Sequence, residues 1–263
     1  MDAGSDKSVI YSYDGTFEGM LTAVFDAFDR RMFPSVIIRH GDLPPMFCDE
    51  LHEVTTDDAK STRVWEGLRK RMVPEALSAV GTSFLCEQPD FDIVLFRYIC
   101  KIFRYGDRAY TAFDDPDILA VTNMCRNVRR ERHRVLMFLR FQKAADGTYF
   151  AIMEPIYNVL PIAVNHFVDR FNSERFLIYD KARGYGYYYD GNHAEIVTLP
   201  ANLAHIATGS LSDELMAPDE RLFQRLWRTY FDAIAIPERT NPRKQRQDMP
   251  VRFWKYLTEK QTR

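Results

Sequence analysis

Two stretches change their hydrophobic rhythm, and they limit the possible folds of this chain more than any other feature. Val135-Leu-Met-Phe-Leu-Arg-Phe141 reads as a strand, Ala145-Asp-Gly147 as a turn, and Tyr149-Phe-Ala-Ile-Met153 as the partner strand. Arg175-Phe-Leu-Ile-Tyr179, a turn through Arg183-Gly-Tyr-Gly186 and Tyr187-Tyr-Tyr189 give a second hairpin, closed by Asp190-Gly191. Most other long apolar patterns have helical spacing. The expectation is an α+β fold. Its antiparallel sheet is built from two hairpins, over about residues 135–153 and 175–198. Helices pack that sheet, the N-terminal half is helical, and a helical extension closes the chain. Residues 1–263 are taken as one domain, with a sub-division near 107–116.

The helices have local signals. Val9-Ile-Tyr-Ser-Tyr13 alternates like a strand and runs into the Asp14-Gly15-Thr16 turn. Phe17, Leu21, Val24, Phe25 and Phe28 then recur at helical spacing to Arg31. Val36-Ile-Ile38 is a second short strand, followed by an acidic connector through Pro44-Pro45. Helices are expected from Thr56-Asp57, from Pro74, from Phe91 to Tyr105-Gly106, from Pro116, from Pro161 to Phe171, and from Asp219 to Ile236. The last of these carries a broad apolar face. Asn241-Pro242 reads as a turn, and Met249-Pro250 starts a closing helix that turns Phe253, Trp254 and Leu257 inward.

Charge is segregated although the formal net charge is only −2. Asp42 to Asp58 holds six acids and no Lys or Arg, whereas Arg221 to Arg263 holds eleven Lys/Arg against four acids. Arg126 to Lys143 holds seven against Glu131 alone. Basic clusters of this kind focus a field toward a polyanion, or are solvated faces paired with the acidic connector. Arg126, Arg129, Arg130 and His133 fall on one side of the expected helix, where they suit phosphates. Arg183, with Tyr185 and Tyr187 on one strand face, offers a cation beside rings that can stack on bases. Arg239, Asn241, Arg243 and Arg246 form the third basic group.

Acid/base or metal-ligand chemistry rests on a second set: Asp14, Glu18, His166 and Asp180, with His133 as a further candidate. Nothing places them beside a nucleophile, and Asp14 and Glu18 also suit a capped helix start. No P-loop, His-Glu-x-x-His, Gly-x-Ser-x-Gly or cysteine triplet for an iron–sulfur cluster occurs, so neither cofactor nor metal is expected. Cys48, Cys86, Cys100 and Cys125 lack metal-site spacing and read as small buried apolar residues rather than a disulfide framework. No basic-then-apolar leader and no run of about 20 apolar residues is present, so no membrane span and a cytoplasmic location are expected.

Five motifs together carry a resemblance. They are Tyr13-Asp-Gly-Thr-Phe-Glu-Gly19, Arg129-Arg-Glu-Arg-His133, Phe176-Leu-Ile-Tyr-Asp180 with Arg183-Gly-Tyr-Gly186, Arg239-Thr-Asn-Pro-Arg243, and Pro250-Val-Arg-Phe-Trp254. In these the chain resembles bacterial proteins described as probable DNA metabolism proteins, a family of unknown function. Such proteins are encoded beside a radical SAM protein, and some are fused to a domain of the uracil-DNA glycosylase superfamily. The resemblance implies DNA or RNA, a radical SAM protein and a glycosylase-superfamily protein as partners. It carries over no catalytic residues. The expected role is a nucleic-acid-associated accessory protein in DNA repair or modification, acting with a radical SAM partner. The alternatives are an enzyme on nucleotides or nucleic acid, or a protein-interaction scaffold.

Overall fold

The computed structural model describes residues 8–106, 109–200 and 209–261. Residues 1–7, where a leader was sought, and 107–108 of the expected sub-division lie outside them. The chain divides into two compact units, Met1–Val128 and Arg129–Arg263, so the division falls within a helix.

In the first unit, β1 (Val9–Tyr13) lies between β2 (Val36–Arg39) and β3 (Glu50–Glu53), and both pairings are parallel. Helix α1 (Phe17–Arg30) makes the crossover from β1 to β2. Thr16 starts it by accepting a hydrogen bond from the Gly19 amide, and Arg31 ends it in the left-handed conformation. Helices α2 (Asp58–Arg69), α3 (Pro74–Phe84) and α4 (Phe91–Tyr105) follow. Asp57 caps α2 through the Lys60 amide, and Pro74 opens α3 where its missing N–H costs nothing. The core joins Tyr11, Tyr13, Met20 and Val24 to Leu68, Leu95, Phe96 and Ile99 of the helices. Strand β3 lies in the acidic connector and was not expected, because Glu-Leu-His-Glu shows no apolar face.

Three acids, Asp26 and Asp117 buried and Asp92 half-buried, tie these elements together. Asp26 takes bonds from His52 (2.9 Å) and Lys60 (2.7 Å), linking α1 to β3 and α2. Asp117 receives Arg97 through two donors and Lys101 at 2.8 Å. Asp92 on α4 accepts the Tyr13 hydroxyl at the end of β1. Burial works against the charge on Asp26, but the bonds from Lys60 and His52 outweigh it and hold the carboxyl below its ordinary value. Burial likewise opposes Asp117, and Arg97 with Lys101 outweighs it. A lowered folded-state pKa contributes stability above the unfolded value, and that contribution is lost as pH falls through the folded value. Protection of buried α4 amides against hydrogen exchange is therefore expected to hold down to about pH 4 and to fall progressively below it. Protection unchanged at about pH 2 would contradict these assignments.

Helix α5 (Pro116–Phe138) enters the second unit, where five strands form one sheet in the order β4-β5-β6-β7-β8. These are Gln142–Lys143, Tyr149–Met153, Phe176–Asp180, Tyr185–Tyr189 and Ala194–Val197. Strands β6, β7 and β8 run antiparallel, as the second hairpin required. The first hairpin is not formed as expected. Val135 to Phe138 continue α5, the partner of β5 on that side among the described residues is the two-residue β4, and β5 pairs with β6 in parallel. Helix α6 (Leu160–Arg170) is the β5–β6 crossover, so the sheet is mixed rather than antiparallel. Phe141 anchors this layer by edge contacts with Tyr149, Phe167 and Phe171. Gly186 is required on β7, since a Cβ there would lie 2.5 Å from the Ile178 carbonyl oxygen.

Helix α7 (Glu220–Ile234), the short α8 (Pro242–Asp248) and a 3-10 segment (Val251–Tyr256) close the chain. Phe253 and Leu257 are buried as expected, whereas Trp254 is half-buried with its indole N–H donating to the Met249 carbonyl at 3.0 Å.

Candidate functional site

The three basic groups meet different fates. On α5, Arg126, Arg129, Arg130 and His133 are all exposed. Arg126, in the first unit, donates to Asn123, and no carboxylate among the described residues pairs with Arg130. In the C-terminal segment Arg239, Arg243 and Arg246 are exposed and pair with no carboxylate among the described residues. Lys244 between them is neutralised by Asp248 at 2.9 Å. Asn241 serves the fold: its side-chain oxygen accepts from the Lys244 amide at 3.0 Å and caps α8.

Arg183 is committed within the protein. It pairs with Asp180 at 3.0 Å, three residues earlier, and donates to the carbonyls of Pro155 and Ile156, both at 3.2 Å. Tyr185 donates its hydroxyl to Asn158 at 2.6 Å and meets Tyr187 edge-on, with ring centroids 6.2 Å apart. Tyr187 is half-buried, and burial pushes its phenol pKa up.

The acid/base candidates occupy separate elements. Asp14 accepts from the Thr16 amide and hydroxyl and from the Thr56 hydroxyl (2.9, 2.6 and 2.7 Å). Burial opposes its charge, but these bonds outweigh it and lower its pKa. Glu18 is exposed in the first turn of α1. In the second unit His166 is exposed on α6 with its ring edge against Phe167, His133 is on α5, and Asp180 ends β6. Among the described residues no group of three His, Cys, Asp or Glu side chains is placed to hold a metal ion. A cleft of about 560 Å³ in the first unit is lined by Phe25, Phe28 and Phe103 with Arg63 and Arg71. None of the expected site residues lines it.

A charged cluster that brings Asp180 and Arg183, both expected site residues, together with Glu131 and Glu154 lies at the carboxyl ends of the parallel strands β5 and β6. That edge is where ligands of parallel sheets commonly sit. Asp180 is fully buried; burial raises its pKa, against the opposing pull of Arg183. Glu154, just after β5, pairs with Lys255 and with Lys181 (3.5 Å); burial opposes its charge, but Lys255, the Tyr256 hydroxyl and Lys181 outweigh it and lower its pKa. Glu131, 1% exposed on α5, accepts the Ile156 amide at 3.0 Å and pairs with Arg252 and Arg134. Glu131 and Arg183 therefore grip the Pro155–Ile156 backbone from its N–H and C=O sides. These bonds use the charges internally, so the cluster fixes a loop and presents no open acid/base pair. Its signal in the sequence was Glu131 itself, which falls on the apolar stripe Cys125, Val128, Val135 and Phe138 of α5.

These features define a two-unit α+β protein with an exposed arginine segment near its C-terminus. The chain belongs to the DUF4130 family, a domain of unknown function whose model matches residues 89–259. The Tyr13–Gly19 motif lies before the matched span. No curated protein and no solved structure matches the chain. No helix of the described residues is long and apolar enough to cross a membrane.

Proposed function

We propose that this chain is a nucleic-acid-associated accessory protein of the cytoplasm, acting in DNA repair or modification beside a radical SAM partner. One observation carries the nucleic-acid part: Arg239, Arg243 and Arg246 stand exposed and unpaired by carboxylates among the described residues. Planar guanidiniums without an internal partner suit phosphate oxygens, which accept their fork of donors. Arg129 and Arg130, exposed on α5 in the same unit, add charge to that reading. The repair setting and the radical SAM partner rest on the family resemblance. Co-purification from cells without nuclease treatment tests them.

Salt titration tests phosphate binding. With about five phosphates neutralised, log affinity for DNA falls against log salt with a slope of roughly −3.5 to −4.5. Changing Arg239, Arg243 and Arg246 together to alanine is expected to flatten that slope by roughly 2 to 3 while leaving base preference unchanged. Absence of binding to any DNA or RNA, or tight binding with a flat slope, sinks the reading.

A further inference from the structure

Helix α7 is attached by the wrong residues for a simple surface helix. Its buried positions are Glu220 and Gln224, both polar. Glu220 accepts the Lys143 amide of β4 at 3.1 Å, and Gln224 donates to Glu220 at 2.9 Å. The apolar face, expected to pack, instead meets solvent: Phe223 is 58% exposed, Ile234 56%, Tyr230 55% and Leu226 54%. Trp227 and Leu222 are exposed beside them. A contiguous apolar surface of this kind marks an interaction site.

From this face we infer that α7 is a homodimer interface, packing antiparallel against α7 of a second copy of this chain. At about 100° per residue, Phe223, Trp227, Tyr230 and Ile234 lie within roughly 60° of one another, with Leu222 and Leu226 at their side. The charged residues Arg221, Arg225, Arg228 and Asp232 fall away from the stripe, and Glu220 at its edge is buried. Arg140 over the Trp227 ring is paired with Glu259, so the face presents no unpaired charge of the helix that a like surface would repel. The stripe is also self-complementary. A twofold axis between Arg228 and Thr229 sets Phe223 against Ile234 of the second copy and Trp227 against Tyr230, then repeats both pairs, as an isologous contact must.

Size supports the same occupant. Six half-exposed side chains at on the order of 100 Å² each offer roughly 600 Å² per copy, or roughly 1,200 Å² in the pair, the lower end of specific interfaces. The central ring is already fixed, because Trp227 donates its indole N–H to Glu259 at 3.0 Å and Glu259 is held by Arg140 at 2.8 Å. Burying a pre-positioned Trp costs little side-chain freedom. This interface is independent of the arginine segment.

Sedimentation equilibrium of the full chain tests it. A reversible monomer–dimer equilibrium in the micromolar range is expected, and Tyr230→Glu should weaken it by roughly tenfold or more. Because Tyr230 is half-exposed, circular dichroism of that variant should match the parent; Phe223→Glu gives a second, independent disruption. In a Cys48→Ser background, which removes the exposed native thiol, the double variant Phe223→Cys with Ile234→Cys should cross-link two copies through a short bis-maleimide. A chain monomeric at every concentration overturns the inference, including the case in which a different protein covers α7. So does a dimer that survives both glutamate substitutions.

Discussion

Replacing Glu131 with alanine is expected to destabilise the second unit by about 2–4 kcal/mol, one of the two largest single-residue effects proposed for this chain. Three losses add. The Ile156 amide loses its acceptor, Arg252 and Arg134 lose their carboxylate, and a space opens in the α5 stripe. Arg252 is already short of partners, since its buried Nε has none. Its side chain is 31% exposed, which lets water repay part of the loss and keeps the cost below that for a fully buried pair. Glu131→Gln retains an acceptor for Ile156 and loses only the charge, so about 1–2 kcal/mol is expected. The double variant Glu131→Leu with Arg252→Met removes both charges and should recover much of the loss. Urea unfolding measures all three. A double variant no better than Glu131→Ala would show that the pair's charges are not what the site depends on.

Glu131 also marks where the sequence was readable and where it was not. Helix α5 was placed correctly at Pro116, but its end was misjudged because Val-Leu-Met-Phe-Leu is apolar at every position and a continuous run does not distinguish period 2 from 3.6. The stripe Val128, Glu131, Val135 and Phe138 has helical spacing, and accepting a buried glutamate in it would have carried the helix through. That error hid the topology. Once Val135–Phe141 is no strand, the order strand, helix, strand from Tyr149 to Asp180 is a parallel crossover unit, whose ingredients had each been read. Strand β3 was beyond local reading, since its polar residues pair with β1 some forty positions away.

The site residues divide along the same line. Arg183 was taken as a nucleic-acid-binding cation because its three-residue spacing from Asp180 carries no sign of a tight turn that closes an ion pair. Asn241 was grouped with the arginines, yet Asn before Pro at a helix start is a capping pattern. Arg239, Arg243 and Arg246 stay exposed and unpaired by carboxylates among the described residues because no acid sits where their own helix or turn would deliver it. Local chemistry was legible. Partners that arrive from elsewhere in the fold were not.

Substituting Gly19 with alanine is expected to destabilise the first unit by about 2–3 kcal/mol, the reverse of what helix propensity alone would give. Gly19 is inside α1, where alanine is favoured by about 0.5–1 kcal/mol. A Cβ at this position, however, would lie 2.3 Å from the Asp14 carboxylate and 2.9 Å from the Thr56 hydroxyl. Asp14 would have to leave, giving up its bonds to Thr16 and Thr56 and loosening the Thr16 cap on the Gly19 amide itself. Those bonds pin the β1–α1 turn to the segment that starts α2, so the cost extends past one helix end. The Tyr13-Asp-Gly-Thr-Phe-Glu-Gly19 motif thus has a structural account: Tyr13 reaches Asp92, Asp14 closes the turn, Thr16 caps α1, and Gly19 leaves the room that Asp14 needs. In an Asp14→Gly background the closest collision is gone and the Thr56 hydroxyl, released from its bond to Asp14, can rotate away, so adding Gly19→Ala should then cost little or stabilise slightly. That change of sign separates steric exclusion from any general intolerance at Gly19; thermal unfolding of the four proteins in the cycle measures it. A Gly19→Ala protein as stable as the parent in the original background would mean that the carboxylate of Asp14 does not occupy this space in solution.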